Sequence, residues 1–324
     1  MNVETKGNES ITRRFSQRKI KRILFFACLV AVPILQFSIF YIYVNINSFL
    51  LAFQKWDYVK DGLGLRYEWV KFENFKAAWA LIKDRFWMFG NSGKLFIWTT
   101  IIGLTLAVLF SYYIYKKYPM AGLFRVVLFI PKIMSGVVFV LLYRYLANDV
   151  YQYLVNVFEH NSIEDWTWKY GIGFLDRPET KVGALIFFSL WVGFGVNVLM
   201  FTGTMSGIDE SIVESAQLDG ANTVQEFIYI TFPLIWPTFV SFFVICFSGI
   251  FTDQMHLHTF FGNQSEDVAT FGYYLYVKSK TSDLFSTEVT FPVLSAMGLM
   301  LTSVMLPCVL TLRKVLRKYG PSVD

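Results

Sequence analysis

The sequence predicts an all-α, polytopic membrane protein with six transmembrane helices. Three observations carry that reading. Hydrophobic residues make up 55% of the 324 positions, with a mean hydropathy of +0.45. Charged residues are only 16%, against about 25% in soluble domains. Six apolar runs each approach or exceed the ~20 residues that a membrane-crossing helix needs. The composition excludes an ordinary soluble enzyme, and it is the reverse of the polar, charge-rich composition of disordered chains.

The runs cover residues 23–52, 95–115, 123–146, 182–203, 232–251 and 289–312. The first is long enough to tilt or to end in an interfacial turn. A secretory signal has an apolar core of only 7–15 residues, so this run reads as an uncleaved span. The 34 Phe and 18 Tyr suit rings placed at membrane interfaces. Residues 75–86 read as a short amphipathic helix lying in the interface. Cys28, Cys246 and Cys308 all fall inside apolar runs and read as small buried hydrophobes. His256 and His258 are two apart, a poor helical spacing for metal ligands, and no Cys/His cluster accompanies them. The chain thus divides into a basic N-terminal tail (1–22), a six-helix membrane domain (23–312) and a basic C-terminal tail (313–324).

Charge sets the expected orientation. Lys6, Arg13, Arg14, Arg18, Lys19, Lys21 and Arg22 precede the first span, which predicts a cytoplasmic N-terminus. An even number of spans returns the C-terminus to the same side, where Arg313, Lys314, Arg317 and Lys318 lie. Lys116, Lys117 and Arg125 flank the second connection and agree. The expected cytoplasmic segments hold 14 basic residues in 72 positions, against 11 in 110 outside. The net charge of +5 therefore orients the chain and says little about a substrate.

One expected cytoplasmic segment breaks the pattern. Residues 205–231 contain no Lys or Arg but hold Asp209, Glu210, Glu214, Asp219 and Glu226. Such a segment suits contact with a basic protein surface. Its small residues, Ser215, Ala216, Gly220 and Ala221, allow close docking. Gly220 permits the backbone to leave helical geometry, so the segment reads as helix, turn, helix. Pro233 then sits near the start of the fifth span, where proline is tolerated.

These residues carry a resemblance. The stretch is similar to the EAA loop of binding-protein-dependent ABC importer permeases, whose pattern is E-A-A-x-x-D-G-A followed by I-x-x-P-x-x-x-P. Glu214, Ala216, Asp219, Gly220, Ala221, Ile230, Pro233 and Pro237 match, with Phe227 in the aromatic stretch between. Ser215 replaces the first Ala, a small-for-small change. Further matches are Trp69, Asn74 and Phe75 in a W-x-G-L-x-N-F-like element, with Lys71 and Phe72 departing from it. Phe124, Arg125 and Pro131 resemble the entry to the third span, and Trp191, Gly193 and Phe194 a W-x-G-[FY] segment of the fourth. The subgroup most resembled is the carbohydrate-uptake permeases of the maltose and glycerol-phosphate type.

The resemblance implies a type I ABC importer permease fold in the cell membrane. It implies pairing with a second, similar permease and with two cytoplasmic ATPase subunits, and delivery of a sugar by an external solute-binding protein. Glu214, Ser215, Ala216, Asp219, Gly220 and Ala221 would form the coupling helix that enters a cleft of the ATPase, with Glu214 against a basic residue there. ATP and Mg would be bound by those subunits and not by this chain, which would carry no cofactor. The sequence agrees, because it lacks a G-x-x-x-x-G-K-[ST] phosphate loop; the string from Gly90 to Lys94 has the wrong spacing. Catalytic signatures such as a nucleophile elbow are also missing, so no enzyme activity is expected of the chain itself.

Polar and aromatic residues within spans are candidates for the solute path. Trp191, Phe194 and Asn197 sit at i, i+3 and i+6, roughly one helical face, and an aromatic face with an amide suits a sugar. By position in the family, Gly193, Asn197, Ser248, Phe251 and Thr252 fall near solute contacts. Helix–helix packing is the competing role for each of them. Lys132 lies about 12 Å into the third span at 1.5 Å per residue. Three roles fit it: snorkelling to the interface, pairing with a carboxylate of the partner permease, or facing a path for an anionic sugar. The outside segment 53–92 mixes basic residues with Trp56, Trp69, Trp79 and Trp87. Beside a membrane this suits protein docking, and no nucleic acid is expected. The competing class is a self-contained secondary transporter or channel. Such carriers usually bury ionisable relays and show inverted repeats, whereas the carboxylates here fall almost wholly in loops.

Overall fold

The computed structural model describes residues 4–58, 65–151, 153–154, 173–264, 267–281 and 289–321. Most of the outside segment 147–180 and residues 265–266, 282–288 and 322–324 lie outside the described residues. So do the side chains of Trp56 and of the basic run from Lys6 to Arg18. Two compact units are present, residues 1–79 with 291–299, and residues 80–290 with 300–324.

The first unit begins with α1 (Glu4–Phe37), which runs through a π-helical stretch (Ser38–Tyr43) into α2 (Val44–Leu51). The portion Lys19–Leu51 is long and apolar enough to cross a membrane. Its few polar groups are satisfied within the helix: Asn45 Nδ2 donates to the Tyr41 carbonyl at 2.7 Å, and Ser48 Oγ to the Val44 carbonyl at 3.0 Å. Two antiparallel strands follow, β1 (Gln54–Tyr58) and β2 (Leu65–Trp69), with Gln54 opposite Trp69. This hairpin is the one sheet among the described residues of an otherwise helical chain. Asn74, buried in α3 (Glu73–Asp84), pins the strand entry by donating to the Ala52 and Gln54 carbonyls at 2.9 and 2.8 Å. The helix expected over 75–86 is present as α3.

In the second unit, α4 (Trp87–Phe96), a π-helical stretch (Ile97–Ile102) and α5 (Gly103–Tyr115) form one continuous span. The expected third span is corrected. It is two helices, α6 (Ala121–Ile133) and α7 (Gly136–Tyr145), the latter extending in a π-helical stretch to Val150, and the two bend by 103°. Met134 and Ser135 between them are extended, with ψ of 150° and 131°. Pro131 offers no amide to the helix and Gly136 resists helix formation, so the apolar run conceals a break.

α8 (Pro178–Met205) packs chiefly against α5 and α6. At Gly195 it meets α6 backbone to backbone, since a Cβ there would collide with the Leu128 carbonyl. Ser111 Oγ on α5 lies 2.9 Å from the Val198 carbonyl of α8. After a short elbow of two helices, described below, α11 (Phe232–Ser248) begins; α12 (Leu257–Phe261) and α13 (Phe271–Thr281) follow, and α14 (Phe291–Tyr319), whose residues 291–299 belong to the first unit, completes the chain. Leu104, Val108 and Tyr112 of α5, Val198, Phe201 and Met205 of α8, and Ile235 of α11 form a shared buried core.

The fifth span, α11, stops at Ser248, with Gly249 as its C-cap, three residues short of the expected 251. The sixth runs on to Tyr319, because its Arg, Lys and Leu residues favour helix beyond the apolar stretch. The expectation of buried cysteines is corrected for Cys28 and Cys308, both exposed. They lie on membrane-spanning helices, where an apolar side chain needs no neighbour from its own chain.

Candidate functional site

The segment after α8 builds an elbow. Asp209 is the N-cap of α9 (Glu210–Leu218), its Oδ1 accepting the Ser211 N–H at 3.0 Å. That bond holds the exposed Asp209 carboxyl below its ordinary value. α9 ends at Leu218 with Asp219 as its C-cap, and Gly220 takes φ +82°, a left-handed conformation that favours glycine. The Gly220 and Ala221 amides return to the carbonyls of Gln217 and Ala216 at 3.1 and 3.0 Å, which closes the helix end. Asn222 then opens α10 (Thr223–Glu226) with a reciprocal capping box to Gln225, both bonds 2.9 Å. A π-helical stretch (Phe227–Thr231) continues directly into α11.

The elbow presents most of its side chains outward. Glu214, Ser215, Asp219 and Gly220 are exposed, Ala216 and Ala221 are half-buried, and only Val213 of α9 is buried. Leu218 is 88% exposed, an unpaid cost for an apolar side chain unless something covers it.

The inward side of the elbow is held by a group that sequence reasoning missed. Glu226 is 2% exposed. Lys116 Nζ, at the end of α5, lies 2.8 and 2.9 Å from its two carboxylate oxygens. Gln217 Nε2 donates to Oε2 at 3.2 Å. Tyr112 Oη lies 3.1 Å from Oε1 and 3.0 Å from the Thr223 carbonyl. Lys116 served in the sequence only as an orientation marker. A buried carboxylate is costly unless paired and hydrogen-bonded, and here both oxygens are served.

A second feature is a cavity of about 320 Å³. Thr99, Thr100 and Leu104 line it from the second span, Ser189, Val192, Gly193 and Asn197 from α8, and Cys246 and Gly249 from the end of α11. Asp253 and His256 close it. Met255 and His256 both carry positive φ, 49° and 59°, an uncommon backbone for such residues. Burial holds the His256 imidazole below its ordinary value; nearby Asp253 opposes that effect and Lys132 adds to it.

The structure separates the expected path residues. Gly193 and Asn197 line the cavity. Trp191 instead packs edge-on to Phe139, ring centres 4.9 Å apart, and Phe194 packs against Phe110. Ser248 is exposed and bonds to the Ile245 carbonyl of its own helix. Phe251 lies edge-on to Phe89, and Thr252 is exposed in the turn after Gly249. Lys132 is exposed on α6, close enough to His256 to act on its charge.

Comparison with known proteins identifies the architecture. Residues 99–319 match the family described as "Binding-protein-dependent transport system inner membrane component". The chain belongs to that family. Within it, this permease is 25% identical over 221 residues to the arabinooligosaccharides transport system permease protein AraP of Bacillus subtilis, which covers 67% of this chain and 66% of AraP. The AraP of Halalkalibacterium halodurans is 26% identical over 258 residues, 76% of each chain. The galactooligosaccharides permease GanP of Bacillus subtilis is 25% identical, covering 66% of this chain and 51% of GanP. In fold, the permease matches a chain of a bacterial ABC transporter that imports the acidic polysaccharide alginate. The TM-score is 0.68 at 19% identity, over 94% of this chain and 99% of that one. The same transporter bound to its alginate-loaded periplasmic protein gives 0.68 at 18%. The type I importer permease fold expected from the sequence is thereby established.

Proposed function

We propose that this chain is one of two permease subunits of an ATP-driven importer of oligosaccharides. It sits in the cytoplasmic membrane with both termini inside and forms half of the path. A solute-binding protein delivers the sugar from outside. Two cytoplasmic ATPase subunits bind ATP and Mg and supply the work, and this chain holds no cofactor and has no hydrolytic role. The observation that carries the reading is the outward-facing elbow in a chain of this family. Glu214, Ser215, Asp219, Gly220 and the uncovered Leu218 face away from the chain, while Ala216 and Ala221 keep it slim. That is the form of a lever built to seat in another protein's groove.

The cavity, apolar over most of its wall with several polar groups set into it, supports the solute side of the reading. Its threonines, Ser189, Asn197, Asp253 and His256 supply donors and acceptors suited to sugar hydroxyls. Its volume is near the lower bound of small-molecule sites, about 300 Å³, which fits one or two sugar units of a longer chain. The named saccharides of the relatives, arabino- and galactooligosaccharides, support the substrate class.

Co-purification from membranes tests the reading. The tagged chain should bring down a second permease and an ATPase, and hydrolysis should rise when the binding protein is added with arabino-, galacto- or maltooligosaccharides. Glu214→Lys should abolish that stimulation. Retained stimulation in this variant would remove α9 from the coupling role.

A further inference from the structure

We propose that the Lys116–Glu226 pair is the second arm of the lever, carrying movement of the elbow into α5 on the far wall of the cavity. This rests on the coupling reading above and adds to it a specific pair of positioning residues.

The elbow reaches the cavity by three routes. Two are covalent: it continues from α8, which lines the cavity at Ser189, Val192, Gly193 and Asn197, and α10 continues through the π-helical stretch into α11, whose far end supplies Cys246 and Gly249. The other wall belongs to the second span, at Thr99, Thr100 and Leu104. No peptide segment of the elbow leads there. The link is Glu226, which Lys116 grips at both oxygens and beside which Tyr112 Oη sits, both residues on the last turn of α5 or just past it. From Tyr112 back to Thr100 is about 18 Å of helix at 1.5 Å per residue. An intact helix transmits an axial push over that length with little loss.

The chemistry of the link is selective. Gln217, on α9, donates to the same carboxylate, so Glu226 joins the docking helix and α5 in one network. Phe227 packs against Tyr112, ring centres 4.8 Å apart, next to the carboxylate in sequence. Attraction between opposite charges is strong where water screens it poorly, and removing Lys116 from the buried Glu226 would leave that carboxylate unpaired, so the two elements separate only at high cost. An apolar contact there would allow them to slide. Without the pair, ATP-driven movement of the elbow would reach the second span only through apolar packing in the core it shares with α8 and α11, and the cavity walls would move less closely in step.

The test uses the complex purified with its ATPase, with spin labels at Val224 on the elbow and Leu109 on α5, both exposed in this chain. Cys28, Cys246 and Cys308 are first replaced by Ala. In this otherwise unaltered protein, the Val224–Leu109 distance should stay narrow and unchanged when Mg-ATP and vanadate are added. In Glu226→Gln, or in Lys116→Met as an independent disruption, the ATPase should remain bound and hydrolysing. The distance distribution should broaden and shift on nucleotide addition. Lys116→Glu combined with Glu226→Lys should restore the narrow distribution. A distribution that stays narrow in both single variants would overturn the proposal. So would loss of the assembled complex in both, which would assign the pair a folding role. Failure of any ATPase to accompany the unaltered chain would overturn the coupling reading itself, and the pair's proposed role with it.

Discussion

Gly195 shows how little room single positions leave in this bundle. Its backbone lies against the Leu128 carbonyl, so even a methyl group forces α6 and α8 apart. Gly195→Ala should cost about 1–3 kcal/mol, as overpacked sites do, and lower the thermal midpoint of the purified protein in detergent. Which residues were legible beforehand follows from range. Glu214, Asp219 and Gly220 were legible because their pattern is local and Gly220's left-handed turn needs that residue. Glu226 and Lys116 were not, because their pairing spans 110 positions and no local spacing announces it. Trp191, Phe194 and Asn197 were grouped by spacing, yet i, i+3 and i+6 drift by about 60° per step on a helix of 3.6 residues per turn. That drift is enough to send two of them into packing and leave Asn197 at the cavity.

The elbow is the element best forecast by the sequence, since its caps are encoded residue by residue. Asp209 starts α9 and Asn222 starts α10. Asn222→Ala removes one half of a capping box and should destabilise α10 by about 1 kcal/mol. Faster amide exchange at Gln225 and Glu226, with the membrane helices unaffected, is the measurement that checks it. The interruption of the third span was hidden because an apolar run reads the same whether straight or broken. Only Pro131 and Gly136 hinted at it. The β1–β2 hairpin was hidden for the opposite reason: a loop rich in charged and aromatic residues gives no periodic signal until Asn74 ties its base.

For the molecule as a whole, composition alone was enough to place the chain in a membrane, and the number of apolar runs agrees with five straight spans and one bent pair among the described residues. Composition could not show how such a chain meets lipid. The bend between α6 and α7 bears on that directly. Extended residues at Met134 and Ser135 leave the carbonyls and amides of two helix ends without intrahelical partners. Hydrocarbon cannot solvate them, and irregular backbone persists at membrane depth only beside protein or water. The perimeter around the bend is therefore not an acyl-chain surface. The annulus of lipid around this subunit must be open on that side, and a hydrated seam there would also relieve Lys132 of a long reach to the headgroups. A nitroxide at Ser135 should accordingly relax faster with a water-soluble nickel chelate than with oxygen. The reverse preference would place the bend in lipid.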